Sequence, residues 1–172
     1  MKHFIAIMVL GVLTGCTSTS KIAVHCIPVS MQNSAVDPVQ LLASLNTCVD
    51  EQEFSKAAEL YYLSMGKAKF DENRTLNNNL TQVVAKHHKM FLSELPAKDA
   101  KMLSQQIMNK LKNNNEICRQ LKKQHKSTHQ VNYSNSLQLE NKAQQRVINK
   151  IIRSFDTEKR WQQSIDEILG CP

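Results

Sequence analysis

The stretch EQEFSKAAELYYLSM, residues 51–65, decides the fold of this chain. Its apolar residues recur at the spacing of an amphipathic helix, and they are Phe54, Ala57, Ala58, Tyr61, Tyr62 and Met65. The small side chains of Ala57 and Ala58 would let a second helix approach closely. The stretch therefore predicts a helix that packs tightly against another.

A second helical pattern lies immediately upstream. Asp37-Pro38 is a favourable helix start, since a capping side chain precedes a proline at the first helical position. The apolar residues that follow at helical spacing are Val39, Leu42, Leu45 and Val49. A break over Asp50–Glu53 separates the two patterns, so together they predict an αα-hairpin.

The stretch from Leu41 to Met65 resembles one tetratricopeptide or Sel1-type helical hairpin. The residues that carry the resemblance are Phe54, Ala57, Ala58 and Tyr61. A repeat array would need a further copy about 34 residues away, and the sequence contains none. The glycine expected between the two helices is also missing, and a generic αα-hairpin accounts for the same residues equally well.

Further helical patterns fill the rest of the chain. Asp71 can cap a third helix, whose apolar stripe consists of Leu76, Leu80, Val83, Val84, His87, Phe91 and Leu92. A fourth helix after Pro96 carries Ala100, Leu103, Ile107, Met108 and Leu111. The run Asn113-Asn114-Asn115 then breaks the pattern, and a short fifth helix holds Ile117, Cys118 and Leu121.

The C-terminal region is predicted to contain a loop and two further helices. Residues 126–136 are polar and predict a loop, and residues 139–155 predict a long helix. A final helix begins near Thr157 and is stopped by Gly170. With only four Gly and four Pro and no strand alternation, the chain is predicted to be all-α, a compact domain of about six or seven helices.

The N-terminus carries a targeting signal. A short basic start and an apolar run end in Leu13-Thr14-Gly15-Cys16, which resembles the signal and lipobox of bacterial lipoproteins. The resemblance implies a signal peptide over residues 1–15, a lipid on Cys16, a tether over 16–35 and a single helical domain over 36–172. Thr17, rather than Asp, after the lipidated cysteine favours the outer membrane facing the periplasm. An ordinary secretory signal is the alternative.

Four cysteines remain after lipidation of Cys16, and they are Cys26, Cys48, Cys118 and Cys171. An even number in an oxidising compartment indicates two disulfides, for which three connectivities are possible. We favour Cys26–Cys48 and Cys118–Cys171, because these pairs would tie both ends of the domain to inner helices. Free buried thiols are the alternative.

Charge is unevenly distributed along the chain. Residues 37–97 contain six Lys/Arg and eight Asp/Glu, whereas residues 98–160 contain fourteen Lys/Arg and five Asp/Glu. Outside the cytoplasm, a basic half suits an acidic protein surface, lipid headgroups or lipopolysaccharide rather than intracellular nucleic acid. A solvated helical surface that happens to be basic is the alternative.

Candidate binding residues follow from this pattern. The most prominent basic set is Lys122, Lys123, Lys126, Arg146, Lys150 and Arg153. Tyr62 and Trp161 would become interface anchors if they were exposed beside basic side chains, since aromatic residues are frequent binding hot spots. Core positions are the commoner location for such aromatic residues.

Catalytic and metal-binding signatures are absent from the sequence. His125 and His129 lie four residues apart, but no third ligand and no HExxH glutamate accompany them. No GxSxG motif occurs, and after residue 15 the only glycines are Gly66 and Gly170. We therefore expect neither a metal nor a cofactor, and a protein that is not an enzyme.

These observations predict a lipid-anchored envelope protein that binds another protein. The leading specific hypothesis is an immunity or inhibitor protein against a toxin that acts on the envelope. The alternatives are an assembly or scaffold lipoprotein that uses the hairpin face, and a binder of anionic ligands such as lipopolysaccharide, lipid headgroups or DNA through the basic half.

Overall fold

A computed structural model describes residues 25–75, 78–124, 128–129, 131 and 157–172. The described part of the chain contains six α-helices and no strand, so the all-α prediction is confirmed. The helices are α1 (Leu41–Asp50), α2 (Phe54–Thr75), α3 (Leu80–Glu94), α4 (Ala97–Lys112), α5 (Asn115–Lys122) and α6 (Thr157–Leu169). None of them is both long and apolar enough to cross a bilayer.

Helix α2 is the centre of the domain, because α1, α3, α4 and α6 all pack against it. Ala57 and Ala58 are completely buried, as the close approach of neighbouring helices requires. The largest fully buried side chains are Trp161, Phe70, Leu41, Leu45, Leu60, Leu63, Leu80, Leu103, Ile117, Leu121 and Ile165. The core therefore draws on all six helices and surrounds α2.

The predicted hairpin is present, but α1 begins at Leu41 rather than at the predicted Pro38, because residues 38–40 form a turn. Asp37 Oδ1 caps this turn by accepting hydrogen bonds from the backbone N–H groups of Val39 and Gln40, each at 2.8 Å. At the other end of α1, Glu53 N donates to Cys48 O at 2.8 Å, in the pattern of a Schellman cap. Gln52 occupies the left-handed position, with φ of 60°, where glycine is the usual residue.

Two predictions about α2 and α3 were wrong. We expected Asp71 to cap a third helix, but α2 continues through it to Thr75 and buries its carboxylate completely. The chain between Met65 and Thr75 contains no proline, and Gly66 is accommodated because a neighbouring helix packs on it. The third helix begins instead at Leu80, and it turns His88, rather than His87, towards the core.

Helix α6 packs closely on α2 at Gly66. A Cβ atom added at Gly66 would collide with Ile165 Cδ1 and would lie 3.8 Å from the Trp161 ring. Both of these side chains are fully buried, so neither can move into solvent. The absence of a side chain at Gly66 therefore sets the distance between the two helices.

We expect Gly66→Ala to lower the free energy of unfolding by about 1–3 kcal/mol, because it overpacks this contact. Ile165→Val removes the colliding atom, so the double variant should lose less than the sum of the two single losses. Urea unfolding followed by Trp161 fluorescence measures all three variants. Strict additivity would show that the contact does not set the helix distance.

Both favoured disulfides are present, which confirms the predicted connectivity. Cys26 pairs with Cys48 across 4.5 Å between Cα atoms, and Cys118 pairs with Cys171 across 5.9 Å. The second bridge joins α5 to the C-terminal end, and α5 also packs against α6. Asn114 Nδ2 supports this junction by donating to the carbonyl of Leu169 at 2.8 Å.

Candidate functional site

One face of α2 is polar and yet buried. Ser64, Lys67, Asp71 and Arg74 recur at spacings of three and four residues, so they lie on one side of the helix. The exposed fractions of the first three are 0%, 2% and 0%. Buried polar groups need hydrogen-bonding partners, and here they come from segments that are distant in sequence.

Lys67 holds the segment that precedes α1. Its Nζ donates hydrogen bonds to the backbone carbonyls of Asn33, Ser34 and Val36, at 3.3, 3.1 and 2.6 Å. Burial lowers the pKa of Lys67 to about 8, while the carboxylates of Asp71 and Asp37 act in the opposite direction. One ammonium group therefore satisfies three carbonyls of a chain segment that forms no helix of its own.

Ser64 and His88 form a second part of this polar face. Ser64 Oγ donates to the carbonyl of Pro38 at 2.8 Å. His88 Nε2 lies 3.0 Å from Ser64 Oγ. Because the hydroxyl proton already points to Pro38, His88 donates to Ser64. A general base would instead accept a hydrogen bond from the nucleophile. The hydrogen bonds of this pair therefore connect α2 to α3 and to Pro38.

Asp71 links α2 to residues 128–129. Arg74 Nε donates to Asp71 Oδ1 at 2.7 Å, and His129 Nε2 lies 2.8 Å from Asp71 Oδ2. Arg74 also donates to the carbonyl of His129 at 2.7 Å. We expected His129 to be a polar loop residue, but it is 6% exposed because it completes this buried charge cluster.

His88 gives the polar face a dependence on pH. Burial, and secondarily the neighbouring His87, lowers the pKa of His88 to about 4 from its usual 6.5. The folded state disfavours the protonated ring. The contribution of the neutral His88 to the free energy of unfolding is therefore complete above pH 6.5 and is lost as the pH falls towards 4. The full loss from this group is about 3 kcal/mol.

We expect His88→Gln to remove this acid-sensitive contribution. The variant will be less stable than the parent at pH 7, but its unfolding free energy should fall less between pH 7 and pH 4. His87→Gln serves as the comparison: because His87 contributes only secondarily to the lowered pKa of His88, this variant should reduce the acid loss by less than His88→Gln does. Equal acid losses in the parent and in His88→Gln would refute the assignment.

The second notable feature is the set of exposed side chains on α3 and α4, two consecutive helices that each pack on α2. Helix α4 fully buries only Leu103, although it spans sixteen residues. The large apolar side chains of these two helices that are exposed are Met90, Met102, Met108 and Leu111, at 47%, 37%, 52% and 41%. In the rest of the described chain only Ile27 and Met31 are comparable, so exposed apolar area is concentrated on α3 and α4.

The same two helices carry exposed lysines. These are Lys86 and Lys89 on α3, and Lys98, Lys101 and Lys112 on α4. We call them, together with the four exposed apolar side chains, the α3–α4 surface. Each of the two helices carries both exposed lysine and exposed methionine, so a partner that binds either helix would meet charge and apolar contact together.

The two aromatic residues proposed as anchors lie in the core. Tyr62 is 5% exposed, and its hydroxyl donates to the carbonyl of Ile107 at 2.9 Å. Burial and the adjacent Tyr61 raise the pKa of Tyr62 to about 12. Trp161 is fully buried and donates to the carbonyl of Leu121 at 2.9 Å. Neither meets the condition of exposure, because each is needed to join two helices.

The basic set proposed from the sequence is only partly described. Lys122 forms an ion pair with Asp166 at 2.7 Å, and Lys123 is exposed at the end of α5. Lys126, Arg146, Lys150 and Arg153 lie outside the described residues, as do Cys16 and His125. The α3–α4 surface was missed because the apolar spacing of α4 was assigned entirely to the core.

Within the described ranges, no group of three or more His, Cys, Asp or Glu side chains could hold a metal ion. Among the described residues, the fold and the site thus define a disulfide-bonded helical domain with an internal polar network and with exposed apolar and basic side chains on α3 and α4. The chain matches no protein-family model, no curated protein and no solved structure.

Proposed function

We propose that this chain is a lipid-anchored protein of the bacterial envelope that binds another protein without catalysis, through the α3–α4 surface. The observation that carries the proposal is the concentration of exposed methionine and leucine on two adjacent helices. Methionine is flexible and polarisable, and it is common on surfaces that bind other proteins.

The rigidity of the domain supports this proposal. Two disulfides and the buried polar face of α2 hold the segments around the helices, while α4 packs on α2 through Leu103 and Ile107. A surface on a preorganised helix loses little conformational entropy when it binds.

The envelope location rests on two features. The lipobox that ends in Cys16 indicates a lipid anchor, and a pair of disulfides is typical of an oxidising compartment. An anchored domain with a prepared surface is what an immunity or inhibitor protein against an envelope-acting toxin needs. We therefore keep that class of partner as the specific hypothesis.

The hairpin is a less suitable binding face. Its apolar residues, among them Ala57, Ala58, Leu60 and Leu63, are buried by the rest of the domain. A scaffold that held its partner on this face would have to open the core. The exposed lysines, in contrast, favour the second alternative, an anionic ligand, and they lie on the same α3–α4 surface.

Photo-crosslinking in living cells tests the proposal on the full chain. A photoreactive amino acid replaces Met108 in one strain and Gln162, an exposed residue of α6, in the control strain. We expect a discrete protein adduct at position 108 only, and we expect Leu111→Asp to reduce it about tenfold. Adducts of equal yield at both positions, or none at position 108, would contradict the proposal.

A further inference from the structure

We infer that the partner presents an acidic surface around an apolar site, into which α4 inserts Met108. This inference rests on the proposed function, because it specifies the chemistry of the partner at the same surface.

The outward side of α4 forms a single stripe. Its residues are Lys98, Lys101, Gln105, Met108 and Lys112, which recur at spacings of three and four and are all exposed. We call this stripe the outer face of α4. Lys112 lies one helical turn from Met108 and Lys101 lies two turns from it, while Met102 and Leu111 lie on the two sides of the stripe.

Five of the six lysines of α3 and α4 have no described ion pair, and elsewhere Lys67 and Lys123 also have none, whereas most other described basic side chains are paired. On other helices, ion pairs neutralise Lys56, Lys69, Arg74, Arg119 and Lys122. Within α3 and α4, only Lys110 has a described ion pair, with Glu59. Lys86, Lys89, Lys98, Lys101 and Lys112 have none in the described part of the chain.

The charge balance of α3 and α4 also favours an acidic partner. The segment Leu80–Lys112 contains six lysines and only two acidic residues, Glu94 and Asp99. An uncompensated positive surface attracts negative charge and accelerates association with it. The matching surface on the partner is therefore acidic.

The arrangement of apolar residues favours a protein over a membrane. A helix that lies in a bilayer interface separates its basic face from a continuous apolar face. The apolar face of α4, with Leu103 and Ile107, already packs on α2, and the outer face mixes lysine with isolated methionine. Exposed apolar side chains interspersed with lysines resemble a hot spot with a polar rim.

The test neutralises charge and leaves Met102 and Leu111 in place, while the photoreactive residue replaces Met108 in every chain compared. In full-length chains with the photoreactive residue at position 108, K101Q/K112Q is compared with K56Q/R119Q, which removes two charges elsewhere. We expect the first pair to lower the adduct yield about tenfold and the second to leave it unchanged. Mass spectrometry of the adduct should place the crosslink beside clustered Asp or Glu.

Two outcomes would overturn the inference. An adduct that forms but withstands K101Q/K112Q and lacks nearby acidic residues would leave protein binding intact and refute the acidic partner. The second is that the purified lipidated protein crosslinks only to lipid in phosphatidylglycerol vesicles, with no protein adduct in cells. That result would reject the proposed function as well and assign the lysines to the membrane.

Discussion

Asp71→Asn is expected to lower the free energy of unfolding by about 3–5 kcal/mol, because it leaves buried cationic and polar groups without their anionic partner. Asparagine keeps the shape of the side chain but removes a buried negative charge. Arg74 and His129, both bonded to Asp71, would then lack their anionic partner. Lys67 would also lose a carboxylate that favours its charged form.

Urea unfolding followed by Trp161 fluorescence measures this effect. The control is Glu116→Gln, which removes an exposed carboxylate paired with Arg119 and should leave the unfolding midpoint unchanged. Replacing both members of the buried pair, in Asp71→Asn with Arg74→Met, should recover part of the loss. A fully stable Asp71→Asn protein would show that the cluster does not hold residues 128–129 on α2.

Removal of the Cys118–Cys171 bridge is expected to cost about 4 kcal/mol, since it closes a long loop in the unfolded chain. The variant C118S/C171S keeps the size of both side chains. Because Cys171 follows α6 directly, the loss should appear first as faster amide exchange in that helix and as a shift in Trp161 fluorescence.

The variant C26S/C48S provides the matched comparison. It opens a shorter loop, worth about 3 kcal/mol, and it should accelerate exchange in α1 rather than in α6. Such local acceleration is expected because each bridge holds its own end of the domain. Uniform acceleration in all helices by either variant would mean that the two bridges act only by restricting the unfolded chain.

The sequence was sufficient for the order of the described helices and for the disulfides, but not for every helix boundary. The start of α4 after Pro96, the break before Phe54 and the stop at Gly170 depend on local backbone chemistry, which sequence reports directly. The cysteine pairing followed from parity and from the position of each cysteine near one end of the domain.

The polar face of α2 could not be found in the same way. Ser64, Lys67, Asp71 and Arg74 at helical spacing look like an ordinary solvated face. They are buried because segments 33–38 and 128–129, which are distant in sequence, cover them. The α3–α4 surface was hidden for the opposite reason, since periodicity does not reveal which apolar residues remain uncovered.

The most direct test of protein binding at the α3–α4 surface compares lysine reactivity in the envelope and in purified protein. An acylating reagent labels intact envelopes, a mild detergent extract and the purified full chain, and mass spectrometry compares Lys98, Lys101 and Lys112 with Lys56. Binding of a protein to this surface predicts that the three α4 lysines are protected in envelopes and in the extract, while Lys56 is not. Equal labelling of all four lysines in every sample would contradict it.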